Sequence, residues 1–280
     1  MENIFIRTKD GYPISIHVFS PNVSNNKILV INSATGVKQQ LYFSFSKYFS
    51  DFGYTVITYD YRGIGLSKPK SVKNFSASMT NWGAEDFLAV SDYVNTKFPN
   101  FQKYCLGHSV GALILGMNPL TKIYEKFIFV ATQKAYLGNL TWQIKWSAIV
   151  GFGLVQPIFS FFFKFFPAQY LGLGESLPSG CAFDWRTLIM NKHSTNVLLE
   201  RTVNIAKDLS QPTLFLSAED DGWVTKKGME LLIEESYPNL QIQDKTLLVT
   251  QSSKRNIGHV NFFRSYNRPL WDIPLAWLEN

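Results

Sequence analysis

Two cysteines in 280 residues, Cys105 and Cys181, exclude a disulfide framework, and no C-x-x-C pair marks a metal or redox site. Charge is sparse too. Only 17% of residues are charged against 46% hydrophobic, which excludes a disordered chain and predicts a large core. The start, Met1 to Asp10, has no secretory apolar core, so the cytoplasm is the expected compartment. Despite a net charge of +6, no cluster of lysine and arginine resembles a nucleic-acid-binding motif. The surplus reads as solvated surface, and no nucleic-acid partner is expected. Internal repeats and low-complexity tracts are absent as well.

What is present is an alternation of short apolar runs and amphipathic segments. Residues 3–8 and 13–19 read as a hairpin around Asp10-Gly11. Strands are then expected at 27–32, 55–59, near 101–106, 126–132, 213–217 and 245–249, with helices at about 40–52, 82–97, 226–237 and 270–278. Apolar strands alternating with helices predict a mostly parallel, eight-stranded sheet covered on both faces. Between Gln133 and about Ser210 the alternation breaks. Here lie Trp142, Trp146, Phe152, Phe159, Phe161, Phe162, Phe163, Phe165 and Phe166, and Trp146 to Phe163 carries no charge. The division expected is a core of residues 1–132 and 211–280 with an aromatic-rich helical cap at 133–210. The cap is expected to cover the carboxyl edge of the sheet and to line a pocket with its aromatic face. A membrane span and a cap that docks on a bilayer surface are the alternatives that the apolar run leaves open.

Gly107-His108-Ser109-Val110-Gly111 sits between a strand and an apolar run, the context of a nucleophile elbow. Side chains at Gly107 and Gly111 would collide where strand and helix pass closely. A serine hydroxyl needs an adjacent base, and the base needs a carboxylate. Of the four histidines, His17 and His193 precede the candidate acids and His108 is expected to matter through its backbone. His259 alone follows them, with Gly258 to shape its loop. The acids are Glu219, Asp220 and Asp221, in the loop after strand 213–217. Of two oxyanion-hole amides, one is expected from Val110 and the other from the loop Asn32 to Gly36, with Ala34 preferred over Thr35.

Together the elbow, Asp60-Tyr61-Arg62-Gly63-Ile64-Gly65-Leu66-Ser67, Asn81-Trp82-Gly83 and Ile257-Gly258-His259-Val260-Asn261-Phe262-Phe263-Arg264 resemble the α/β hydrolase superfamily. Within it they look like poorly characterised bacterial serine hydrolases near the serine aminopeptidase-like and monoglyceride lipase-like group. The resemblance implies the α/β hydrolase fold, a structural role for the Asp-x-Arg-Gly turn, and a Ser-acid-His chain order. The family's Gly-x-x-Asp-x-x-Val spacing singles out Asp221, with Asp220 second and Glu219 third. Two departures stand out: Asn32-Ser33 where many relatives have His-Gly, and Ala218 in place of a glycine.

The expected activity is carboxylic ester hydrolysis of hydrophobic acyl esters, esterase- or lipase-like, through Ser109, His259 and Asp221. No metal or organic cofactor is implied. Aminopeptidase-like or thioesterase activity is the enzymatic alternative, and a ligand-binding protein on the same scaffold is the non-enzymatic one. A fold of this kind hosts many chemistries, so substrate does not follow from it.

Overall fold

Residues alternate between the two faces of a strand, and runs such as Ile28-Leu29-Val30-Ile31 are apolar at every position, so such strands must be buried on both faces. A computed structural model describes residues 1–280 and shows that arrangement. Its strands are β1 (Glu2–Arg7), β2 (Pro13–Phe19), β3 (Lys27–Asn32), β4 (Thr55–Tyr59), β5 (Gln102–His108), β6 (Lys126–Val130), β7 (Phe165–Phe166), β8 (Leu177–Pro178), β9 (Pro212–Ala218) and β10 (Gln241–Leu247). Eight of them form one sheet in the order β1-β2-β4-β3-β5-β6-β9-β10. The β1–β2 and β2–β4 pairs are antiparallel and the remaining pairs parallel. Ile28 and Val30 belong to the core on one face, Leu29 and Ile31 to the core on the other. Each such side chain fully buried contributes about 1.5–3 kcal/mol.

Leaving β3 the chain turns to β4; it then crosses back over β3 to reach β5. The carboxyl ends of β3 and β5 therefore flank the point where strand order reverses, the place where open α/β sheets bind ligands. The Asp60–Ser67 turn is structural, as the resemblance implied. Buried Asp60 accepts from the Gln39 and Leu66 amides, and Arg62 pairs with Asp86 (2.7 Å) and Asp10 (2.6 Å). Trp82 stacks on Tyr61 with centroids 4.7 Å apart and donates from Nε1 to the Arg62 carbonyl.

Two expectations shift. β10 begins at Gln241 rather than 245, because it is the edge strand and its first six residues are exposed or half-buried, so no apolar run marks its start. In the 133–210 segment, helices Trp142–Val150, Gln156–Phe163, Ser179–Met190 and Thr195–Leu199 are joined by a short antiparallel ladder, β7 with β8. A wide π turn, Gly151–Val155, links the first two helices into one run from Trp142 to Phe163. It lies directly before Pro157, which has no N–H to close an ordinary i→i−4 bond, so the helix continues through the proline instead of stopping.

Candidate active site

The elbow forms at the end of β5. Ser109 has φ 53° and ψ −118°, a conformation that L-residues adopt only where surroundings enforce it. Enforcement comes from both sides. The Ser109 N–H donates to the Val130 carbonyl (2.9 Å), and the Ser109 carbonyl accepts from Thr132 Oγ1 (2.9 Å). A Cβ at Gly111 would overlap the Asn32 carbonyl oxygen, and one at Gly107 would overlap the Ala112 backbone. Asn32 clamps the same crossing: its Nδ2 donates to the Gly111 carbonyl (3.1 Å) and its Oδ1 accepts from the Tyr59 hydroxyl.

Ser109, His259 and Asp221 meet at this edge although 38 and 150 residues separate them along the chain. His259 Nδ1 lies 2.9 Å from Asp221 Oδ2, and Nε2 lies 3.1 Å from Ser109 Oγ. A carboxylate only accepts, so Nδ1 carries the proton and bare Nε2 accepts from the serine hydroxyl. The Asp221 side chain is fully buried, and its second oxygen takes the amides of Trp223 and Val224. Asp220 does different work: it accepts from the Ile257 and Gly258 amides at 2.9 and 2.8 Å and so holds the histidine loop. Glu219 accepts from Val249 N–H. Thr225 caps the helix Lys226–Ser236 that follows. Gly258, at φ +48°, supplies the turn that brings the imidazole in.

Of the two expected oxyanion donors, Val110 is free: it opens its helix, and no acceptor lies within it. Ala34 is not. Its N–H donates to the Tyr42 hydroxyl at 3.0 Å, although Ala34 also lines the cavity beside Ser109. The neighbouring Thr35 lines the cavity, and its N–H has no protein acceptor.

Sequence reasoning also underrated His108. Its ring is fully buried, with Nδ1 2.8 Å from the Tyr42 hydroxyl and Nε2 2.8 Å from the His259 carbonyl. A carbonyl can only accept, so Nε2 carries the proton, Nδ1 accepts from Tyr42, and the Tyr42 oxygen accepts from Ala34. A one-way relay thus runs from the loop after β3 to the loop that carries His259. Burial, followed by the nearby His259, pushes the His108 pKa down to about 3, so the ring stays neutral as the relay requires. Burial pushes the Tyr42 phenol up and keeps its proton in place. Tyr42 gave no sequence signal, since it reads as one aromatic of an amphipathic helix.

A cavity of about 440 Å³ opens beside Ser109 and His259, and 13 of its 21 lining residues are hydrophobic. That size and character suit a small apolar ligand. Its far wall is Leu173, Trp185, Leu188 and Ile189 from the 133–210 segment. The aromatics expected there are elsewhere: no residue of Trp142–Phe163 lines the cavity, and Trp142, Trp146, Phe161 and Phe162 face outward. The physical reason is that a helix apolar all round carries no pattern to say which side faces in. No carboxylate lines the cavity either. Glu175 is held by the Gly65 amide, and Asp184 by the Met79 amide and Arg201.

The profile of the serine aminopeptidase S33 family matches residues 24–131. No curated protein sequence matches the chain. Among solved structures, a soluble variant of monoglyceride lipase from Saccharomyces cerevisiae is similar with a TM-score of 0.67 at 14% identity, over 99% of this chain and 94% of that one. An esterase from Exiguobacterium antarcticum gives 0.63 at 14% identity, over the whole of both chains. An esterase from Pyrococcus furiosus gives 0.62 at 14% identity, over 99% and 90%. With this sheet order and elbow, the chain has the α/β hydrolase fold, and over residues 24–131 it is similar to the serine aminopeptidase family.

Proposed function

We propose that the protein is a serine hydrolase that cleaves carboxylic esters with apolar acyl groups. The observation that carries this reading is the hydrogen-bonded chain from Ser109 through His259 to Asp221 at the mouth of an apolar cavity. Ser109 Oγ attacks the ester carbonyl while His259 Nε2 takes its proton, and Asp221 stabilises the resulting imidazolium. The Val110 and Thr35 amides receive the charge on the tetrahedral oxygen, a contribution of about 3–4 kcal/mol per donor. His259 then returns the proton to the departing alcohol. Water, deprotonated by the same imidazole, attacks the acyl-serine and releases the acid. Esterase and monoglyceride lipase structures among the fold's neighbours are compatible with this chemistry.

The family profile raises an aminopeptidase as the second reading. An enzyme of that kind holds a substrate ammonium, and a carboxylate would be the natural partner for it. The cavity offers Arg264 and no carboxylate, which favours esters. Fluorophosphonate labelling of wild type and Ser109→Ala tests the serine: label is expected on the first and none on the second. Absence of label on both would favour a ligand-binding protein on this scaffold. A panel of nitrophenyl acyl esters, acyl thioesters and aminoacyl-nitroanilides tests the bond. Each buried methylene contributes about 0.8 kcal/mol, so octanoate should exceed acetate in kcat/KM by up to several thousandfold. Faster turnover of acetate, or of any nitroanilide, would sink the apolar-acyl reading.

A further inference from the structure

The run Trp142–Phe163 carries its polarity the wrong way round for a helix in water. Its inward stripe is Ala148, Phe152, Gln156 and Ser160, with Gln156 Nε2 donating to Ser160 Oγ at 3.1 Å. Its outward stripe is Trp142, Trp146, Val150, Leu154, Ile158 and Phe162, between 41% and 72% exposed. Apart from Phe152, the inward stripe is thus small or polar, while both tryptophans and Phe162 face out. A four-residue repeat drifts by about 40° per step on a straight α-helix. The wide turn at Gly151–Val155 takes back part of that drift along the roughly 30 Å from Trp142 to Phe162. A contiguous apolar surface of this kind marks an interaction site.

Charge says what covers it. Between Thr132 and Glu175 there is no carboxylate. Lys145 is exposed on the run, and Lys164 ends it. The Lys164 carbonyl accepts from the Asn74 amide at 3.1 Å, which ties this end to the loop bearing exposed Lys70 and Lys73. None of these four lysines joins an ion pair. A second copy of the chain would set this basic rim against itself across a two-fold axis, because both faces of such an interface are the same patch. An anionic lipid surface complements both features. The run cannot leave the globule to span a bilayer without breaking its inner contacts: Phe152 packs on Trp185 at 5.0 Å, and Arg186 Nε donates to the Phe152 carbonyl.

We propose that this face docks on an anionic lipid bilayer, with the outward aromatic and aliphatic stripe at the headgroup–acyl boundary and the lysines on the headgroups. Past Lys164, Tyr170 and Leu171 stay exposed directly before Gly172, Leu173 and Gly174, which line the cavity beside Ser109. The docking face therefore adjoins the cavity along the chain. Docking itself does not depend on the hydrolase reading, so the two can fail separately.

The test is co-sedimentation of the full chain with vesicles of phosphatidylcholine alone or mixed with phosphatidylglycerol. Wild type should pellet with the mixed vesicles, less so as salt is raised. Trp146→Glu/Phe162→Glu should bind them at least about tenfold more weakly while keeping the wild-type circular dichroism and thermal midpoint. Lys70→Glu/Lys73→Glu should weaken binding to the mixed vesicles without touching the stripe. Wild type left in the supernatant with mixed vesicles, equal binding by the stripe variant, or equal binding to both vesicle types would overturn the proposal. So would a wild-type dimer that shows no vesicle binding and is split by the stripe substitutions.

Discussion

The Tyr42 hydroxyl has one proton and two partners, and its position fixes what each can do. Tyr42→Phe would leave the buried Ala34 N–H without an acceptor and His108 Nδ1 without a donor. The expected loss is about 1–3 kcal/mol in urea unfolding. Because the relay ends on the His259 carbonyl, kcat for an ester should fall while KM changes little; an unchanged kcat would remove His108 and Tyr42 from any positioning role. The same buried ring predicts an acid dependence. Unfolded His108 takes a proton below its ordinary pKa of 6.5, whereas folded His108 resists until about 3. Its contribution to stability is therefore complete above pH 6.5 and is lost as pH falls, by about 1.4 kcal/mol per unit and about 2 kcal/mol at pH 5. His108→Gln should flatten that part of the slope between pH 7.5 and pH 5, judged by the change in urea midpoint; an unaltered slope would assign the acid sensitivity to other groups. Ser109, Asp221 and His259 were legible because motif, spacing and chain order constrain them jointly. That the Ala34 N–H is engaged by Tyr42 was not legible, because a backbone donor's availability depends on where a side chain eight residues away ends, and no local pattern encodes that.

Among the elements, the crossing of β3 with the elbow helix tolerates least. At Gly111 an added methyl group meets a backbone carbonyl, which cannot rotate aside as a side chain would. Gly111→Ala should cost about 1–3 kcal/mol or more through overpacking and displace the Val110 amide. Both stability and the rate of fluorophosphonate labelling should drop, and a variant with wild-type values in both would show that the crossing has slack. The central strands could be read directly, since residues 28–32 and Thr55–Tyr59 are buried throughout and apolar enough to say so. The exposed edge strand β10 could not, and neither could the facing of the Trp142–Phe163 run. Amphipathic periodicity locates a buried side only when the other side is polar; here Gln156 and Ser160 lie inside while Trp142, Trp146, Phe161 and Phe162 lie outside.

At the scale of the molecule, the segment over the sheet is fastened to the rest of the protein at separate points rather than hinged on one. The Glu175 amide donates to the Gly36 carbonyl at 2.8 Å, and its carboxylate accepts from the Gly65 amide. Buried Asp184 accepts from the Met79 amide at 2.9 Å and pairs with Arg201 at 2.7 Å. Lys134 pairs with Glu235, and the Ile205 amide donates to the Gly116 carbonyl. Leu177, Cys181, Ala182 and Leu188 join the same hydrophobic cluster as the strands. Contacts that interlock in this way favour loss of the whole structure in one step. Urea unfolding followed by tryptophan fluorescence, to which Trp142, Trp146 and Trp185 contribute, should coincide with unfolding followed by far-ultraviolet circular dichroism. Asp184→Ala, which leaves the Met79 amide unpaired, should shift both curves together by about 1–3 kcal/mol. A fluorescence transition that precedes the dichroism transition, and separates further in Asp184→Ala, would instead show that the 133–210 segment opens by itself, and access to Ser109 would then be set by that opening rather than by the fixed cavity mouth.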